Sequence, residues 1–276
     1  MTSYYLLGIL LSVAASITWS VSPIMYRIGA TESALDDLVS NSLGAFILAV
    51  PLIILKPPLN WPAWAYGSLF AILGPVLGTY TFLISLRYVD VGVANVISYS
   101  YVVLLPLLLL AVNPLYLIYM GPATLVMIGL YLIMGSGRGR LYGYAMALLS
   151  AVLYALSFLA LYEAYTYTNP WGIIFIRGVI LMIGALALKA VVEGVRIRLS
   201  SRVFLAGLIS YGVGGPLYIL AVDLAGIIVP TLITTLSPVI TEVLAIVKLR
   251  ERLNRRALMG FTSIITGIII ASLIRA

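Results

Sequence analysis

The chain is written almost entirely in apolar runs, separated by short clusters where charge, proline and glycine gather. The runs are roughly 20 residues long, the length of a helix crossing a hydrocarbon layer about 30 Å thick. Punctuation by these residues predicts spans near 4–28, 37–55, 63–87, 91–112, 115–134, 141–162, 170–190, 203–222, 225–247 and 256–274. Stretches such as Leu104 to Ala111 and Ile264 to Ile274 do not alternate polar with apolar. Barrel strands are thereby excluded, and helices are the expected spanning elements. The opening run, Tyr4 to Ile28, is too long for a signal segment and has no basic residue before it, so it reads as a mature helix. The expected fold class is an all-α integral membrane protein of ten transmembrane helices in a single membrane domain.

Composition strengthens that reading. Of 276 residues, 63% are hydrophobic and 9% are charged, against about a quarter charged in a soluble domain. The absence of cysteine and histidine removes disulfides, thiol nucleophiles, imidazole bases and nearly all zinc chemistry. No metal or cofactor is expected. The surplus of 16 Lys and Arg over 9 Asp and Glu flanks the spans instead of forming a basic domain, so the expected partners are membrane lipid and a small-molecule substrate, with no nucleic acid. Arg27, Arg87, Arg138, Arg140, Lys189, Arg196, Arg198, Arg202, Lys248, Arg250, Arg252, Arg255 and Arg256 fall on one face, with Lys56 and Arg275 opposite. The positive-inside rule makes the rich face cytoplasmic and puts both termini outside.

An internal repeat is visible. A shift of 135 positions lays Gly8, Ser12, Ser16 and Ser20 over Gly143, Ala147, Ala151 and Ala155. Each ladder of small side chains steps by four, the spacing that lets membrane helices approach closely. Val89-Asp90 lies over Val222-Asp223, Gly74 over Gly207, and Met120-Gly121 over Met259-Gly260, each near the same shift. Two five-helix repeats follow, 1–137 and 138–276. Because five is odd, they run through the bilayer in opposite senses, an arrangement that places a binding site midway between halves and moves solute by alternating access.

The second half carries a resemblance. The run from Pro230 to Arg252, with Leu236-Ser237-Pro238, the loop acid Glu251, and Gly260 with Gly267 in the last helix, is similar to the ninth and tenth helices of EamA-type members of the drug/metabolite transporter superfamily. Trp19 followed by Ser20 and Pro23, and Arg177 in the seventh span, also resemble that family's pattern. The resemblance covers the whole chain in layout and implies a plasma-membrane carrier, exporter or exchanger, monomer or homodimer. It leaves the substrate open among amino acids, drugs and phosphorylated metabolites. The first-half counterpart of Arg177 is polar and uncharged, Asn41 or Ser42, and Asn113-Pro114 offers no acid to match Glu251. Family members are often drawn with cytoplasmic termini, opposite to the charge count.

Ionisable groups inside spans are functional candidates because each is costly unless it faces protein or water. Arg177 either binds a carboxylate or phosphate through its planar fork or pairs with Glu163. Glu242, four residues after Pro238, is either a proton carrier or a snorkelling acid paired with Lys248 or Arg250. Glu163, beside Tyr162 and Tyr165, reads as interfacial. Polar stripes come from Asn95 and Tyr99 in the fourth span and from Thr231 and Thr235 in the ninth, serving a cavity or interhelical hydrogen bonds. Trp19, Tyr26, Tyr80, Tyr154, Tyr211 and Tyr218 are aromatic candidates for the pocket wall. Glycine and proline at Gly74-Pro75 and at Gly212, Gly214, Gly215 and Pro216 break the third and eighth spans. The expected function is secondary transport of a small polar or amphipathic metabolite such as an amino acid. A sugar-phosphate or nucleotide-type antiporter and a lipid or lipophilic-cation exporter are alternatives. With no nucleotide-binding loop, ATP drive is not expected. With no pair of buried acids at ligand spacing, neither is intramembrane catalysis.

Overall fold

The computed structural model describes residues 3–133, 139–241 and 255–274. Among them the backbone is helical nearly throughout, without a strand and with an isolated antiparallel bridge between Val89 and Gly139. Eight helices have the length and apolarity to cross a membrane: α1 (Ser3–Gly29), α2 (Ala34–Leu55), α3 (Trp61–Tyr88), α4 (Val91–Leu109), α5 (Pro114–Ile133), α6 (Leu141–Ala164), α7 (Pro170–Val192) and α8 (Ser201–Ala225). Two shorter apolar helices, α9 (Ile228–Thr241) and α10 (Arg255–Leu273), complete the ten. The chain is an all-α, multi-pass membrane protein.

Helix starts follow local chemistry. Ser33, Asn60, Asn113, Asn169 and Ser200 each accept a first-turn N–H, satisfying donors that a helix cannot. Pro62, Pro114 and Pro170 sit just inside three of those starts, where a missing N–H costs nothing. The cap at Ser33 starts α2 at Ala34, ahead of the predicted position 37, and so draws Asp36 and Asp37 into the first turn. There the positive end of the helix dipole favours acids.

Packing shows how the ten helices are related. α1 lies on α8 as α6 lies on α3; α2 lies on α8 as α7 lies on α3; α1 meets α9 as α6 meets α4; and α2–α7 and α5–α10 pair with each other. A twofold relation between two inverted five-helix repeats produces this exchange of partners. The small-residue ladders make the contacts possible. Gly8, Ser12, Ser16, Ser20 and Gly143, Ala147, Ala151, Ala155 are all buried, with Gly8 against Ala221 and Ala225 of α8 and Gly143 against Tyr88 at the end of α3. α5 and α10 run antiparallel with backbones nearly touching. A Cβ at Gly129 would lie 2.6 Å from the Gly260 carbonyl oxygen, and one at Gly267 would lie 2.7 Å from that of Pro122.

Two pairs of helices are broken at matching places. α3 and α8 each contain a widened π-helical stretch, Ile72–Gly78 and Leu208–Gly214. α4 and α9 are each interrupted by a turn, at 99–100 and at 234–235. The π stretches put Ser210, and not Gly207, opposite Gly74. Residue identity favoured the glycine match, but the backbone follows the widened turn. The breaks in α3, α4 and α8 line a central cavity.

Candidate functional site

The cavity has a volume of about 120 Å³ and lies between α1, α3, α4, α6, α7 and α8. Its wall is largely aromatic: Trp19, Phe70, Tyr99, Tyr101, Tyr154, Phe158, Tyr211 and Tyr218 all contribute. The rings support one another, with Trp19 and Tyr218 centroids 5.4 Å apart, Phe158 and Tyr218 5.3 Å, and Tyr101 and Phe158 5.2 Å. Tilted and edge-on contacts of this kind hold aromatic walls in fixed orientations.

The break in α8 supplies the polar part. In the π register the Gly215 N–H bonds the Ser210 carbonyl, five residues back. The next donor in that register would be residue 216, a proline with no N–H to give, so the Tyr211 carbonyl is left over. The Arg177 Nη2 donates to it. The Trp19 Nε1 donates to the Ser210 carbonyl at 2.9 Å. A kinked helix thus presents two backbone oxygens to the cavity, and two side chains from other helices fasten to them.

Arg177 lies two turns into α7 and is 3% exposed. Its guanidinium carbon lies 5.7 Å from the centre of the Tyr211 ring, and its Nε is buried without a partner. The ion pair with Glu163 that the sequence offered does not form; among the described residues no carboxylate lies within 4.0 Å of Arg177. A buried guanidinium with spare donors lining a cavity can take a planar anionic group. Along the same wall, Thr79, Tyr154 and Tyr211 join hydroxyls in a triangle, Thr79 to Tyr154 at 3.0 Å and Tyr154 to Tyr211 at 3.1 Å. Hydroxyls that both donate and accept can turn to suit a bound polar group.

Of the residues expected at the site, Trp19, Asn95, Tyr99, Tyr154, Arg177 and Tyr211 line this cavity together, with Tyr26 and Tyr218. Asn95 is buried with its Nδ2 unpartnered. Three others lie off the wall. Tyr80 packs into the outer apolar cluster, since its neighbour Thr79 takes the inward position. Thr231 bonds the Tyr218 hydroxyl at 2.7 Å, bracing α8 on α9. Thr235 bonds back to the Leu232 carbonyl of its own helix at 2.6 Å. Glu242 lies outside the described residues. Thr79 and Ser210 were not expected; the signal that finds them is their place next to the two Gly-Pro breaks, where backbone and side chains must re-pair.

A second polar assembly closes one end of the bundle, where Arg27, Arg87, Lys189 and Arg202 gather. Asp37 pairs with Arg87 at 2.5 Å, Asp36 with Lys189 at 2.8 Å, Glu193 with Lys189 at 2.7 Å and Glu32 with Arg198 at 2.6 Å. No cluster of metal-ligating side chains occurs among the described residues.

Ten helices in two inverted halves around an aromatic cavity with a buried cation make this a membrane transporter of the drug/metabolite superfamily. The chain belongs to the EamA-like transporter family, which matches it twice, over residues 6–135 and 141–273. A protein of Archaeoglobus fulgidus, described as an uncharacterized transporter, is 27% identical over 278 residues, covering 96% of this chain and 98% of its own. A crystal structure of a protein 16% identical in sequence superposes with a TM-score of 0.70 over 96% of both chains, a likeness of fold alone.

Proposed function

We propose that the protein is a secondary transporter, an exporter or exchanger, of a small metabolite that joins an anionic group to an apolar or amphipathic body, such as an amino acid. One observation carries this reading: Arg177 is buried against the cavity with no carboxylate partner among the described residues. An uncompensated buried cation is unfavourable by several kcal/mol, and a solute anion supplies what the described residues do not. The aromatic wall accommodates the rest of the solute. The halves, 1–137 and 138–276, rock about the cavity in alternating access, which the matched breaks in α3 and α8 and in α4 and α9 favour as hinges. The basic end faces the cytoplasm, with both termini on the opposite side of the plasma membrane.

Counterflow in proteoliposomes tests the reading with a panel of amino acids, sugar phosphates and aromatic amines. Arg177→Ala is expected to lower counterflow of the transported anion about thirtyfold or more, equivalent to at least about 2 kcal/mol, and Arg177→Lys to restore part of it. Unchanged anion counterflow in Arg177→Ala removes the anion clamp. Proton coupling through Glu242 is a separate part of the proposal, supported by a lone acid in an apolar run. Glu242→Gln should lose uptake driven by a pH gradient while keeping exchange, and unaltered driven uptake rejects it.

A further inference from the structure

Tyr26 touches two cavities. One is the central cavity; the other, about 240 Å³, lies at the basic end and is lined by Tyr26, Arg27, Thr31, Asp37 and Arg87 among others. Tyr26 is 4% exposed. Its hydroxyl donates to Asn41 Oδ1 of α2 at 2.7 Å and lies 3.0 Å from Ser210 Oγ of α8, so the ring is pinned between helices of opposite halves. The second cavity is unequal in charge. Arg87 is engaged by Asp37 and by the Glu32 carbonyl, with its Nε left buried and unpartnered. Arg27 is exposed, reaches the Val89 carbonyl at 3.4 Å and forms no ion pair among the described residues. In the lining of this cavity two guanidinium groups stand against one carboxylate, a positive excess beside Tyr26.

We propose that this basic-end cavity is a second binding site, an anteroom where a carboxylate or phosphate group rests against Arg27 and Arg87, and that Tyr26 is the barrier between it and the Arg177 cavity. The proposal builds on the transporter reading but is tested without transport, so either can fail alone. A ring wedged between halves that must separate is placed to part from Asn41 and Ser210 when they do. Losing two buried hydrogen bonds makes that opening infrequent rather than forbidden.

The chain has no native cysteine, so single cysteines report access directly. Ala30→Cys, just past the end of α1, marks the anteroom, and Ser22→Cys, on α1 one turn beyond Tyr26, marks the central cavity. Proteoliposomes are treated with membrane-impermeant methanethiosulfonates, one bearing a sulfonate and one a trimethylammonium, from the side that labels Ala30→Cys. The sulfonate should label Ala30→Cys about tenfold faster than the cation does, and Arg27→Gln should abolish that preference. Vesicles of phosphatidylcholine with and without phosphatidylglycerol separate the sources of the anion. A preference suppressed by the anionic lipid assigns the site to a headgroup phosphate, and one unaffected by it assigns the site to a soluble anion. Ser22→Cys should label at least about tenfold more slowly than Ala30→Cys from that side. Tyr26→Ala should bring it close to the Ala30→Cys rate, and Tyr26→Phe, which keeps the ring but gives up both hydrogen bonds, should speed it at least about fivefold. Equal labelling of Ala30→Cys by both reagents overturns the anion site. Unchanged Ser22→Cys labelling in the Tyr26 variants that fold overturns the barrier.

Discussion

Helix α7 buries two cations, and their surroundings could hardly differ more. Lys189, 5% exposed, lies near the helix end with Asp36 at 2.8 Å and Glu193 at 2.7 Å. Arg177, 3% exposed and three turns earlier, has a backbone carbonyl, the face of a tyrosine ring and an open cavity. Both are costly to bury, so each needs negative charge. Lys189 takes it from its own chain and thereby ties α7 to the start of α2. Arg177 has none from the described residues, and the contrast separates a cation that holds the fold from one that waits for a solute.

Stability is where the two should part most. Lys189→Ala leaves Asp36 buried without its partner, expected to cost about 3–5 kcal/mol and to show as a marked drop in the thermal unfolding midpoint in detergent. Arg177→Leu removes an uncompensated charge while stranding one carbonyl, effects that offset to within about 1 kcal/mol. Equal losses in the two variants would erase the distinction and with it the case for Arg177 as a solute ligand.

Two glycines sharpen the same contrast. A Cβ at Gly44 would run into the backbone at Leu208 and lie 2.8 Å from the Gly207 carbonyl carbon. Neither can give way, so Gly44→Ala should force α2 from α8 and cost about 1–3 kcal/mol. A Cβ at Gly215 would instead meet the Arg177 guanidinium, the mobile end of a long side chain. Gly215→Ala should therefore fold and weaken anion counterflow about tenfold, or about 1.4 kcal/mol. An unfolded Gly215→Ala would show that Arg177 cannot give way, and a folded one with unaltered counterflow would show that the guanidinium's position does not matter to the solute.

The difference between these regions also marks what could be read in advance. Span positions, the ladders from Gly8 and Gly143 and the breaks near Gly74 and Gly212 were legible because they depend on local pattern: length, spacing by four, and residues that cannot hold a regular helix. Arg177 was legible as a lone cation in an apolar run. Asp36 and Asp37 were not, since a cap at Ser33 decides that they fold into a buried first turn, and only the tertiary arrangement sets Lys189 and Arg87 above them. Inward direction was the other blind point. Tyr80 and Thr79 are adjacent and both polar, and which one reaches the cavity depends on the extra residue of a π turn. Thr231 and Thr235 read as one polar stripe in the sequence, yet Thr231 turns to Tyr218 and Thr235 to its own backbone. Thr231→Val should accordingly lose about 1 kcal/mol of stability with the Tyr218 bond, while Thr235→Val should be close to neutral. A reversed order in thermal unfolding would put Thr235, not Thr231, in the role of brace.

The weakest effect expected is at Glu193, the outer of the two acids on Lys189. Its carboxylate accepts from Lys189, and secondarily from Ser33 Oγ, and the Lys189 bond holds the group below the ordinary carboxylate range. A carboxyl whose folded value is depressed stabilises the fold fully at pH above the unfolded value. That contribution is lost as pH falls through the lowered folded value. The side chain is 37% exposed, so solvent and salt screen it, and the contribution should be only a few tenths of a kcal/mol. Glu193→Gln should sit slightly below wild type in unfolding midpoint at neutral pH, converge with it in acid, and approach it in high salt. Asp36, gripping the same ammonium from a buried position, keeps Lys189 satisfied throughout. If Glu193→Gln fell as far as Lys189→Ala, the exposed acid would be the one compensating Lys189, and burial would no longer distinguish the two partners.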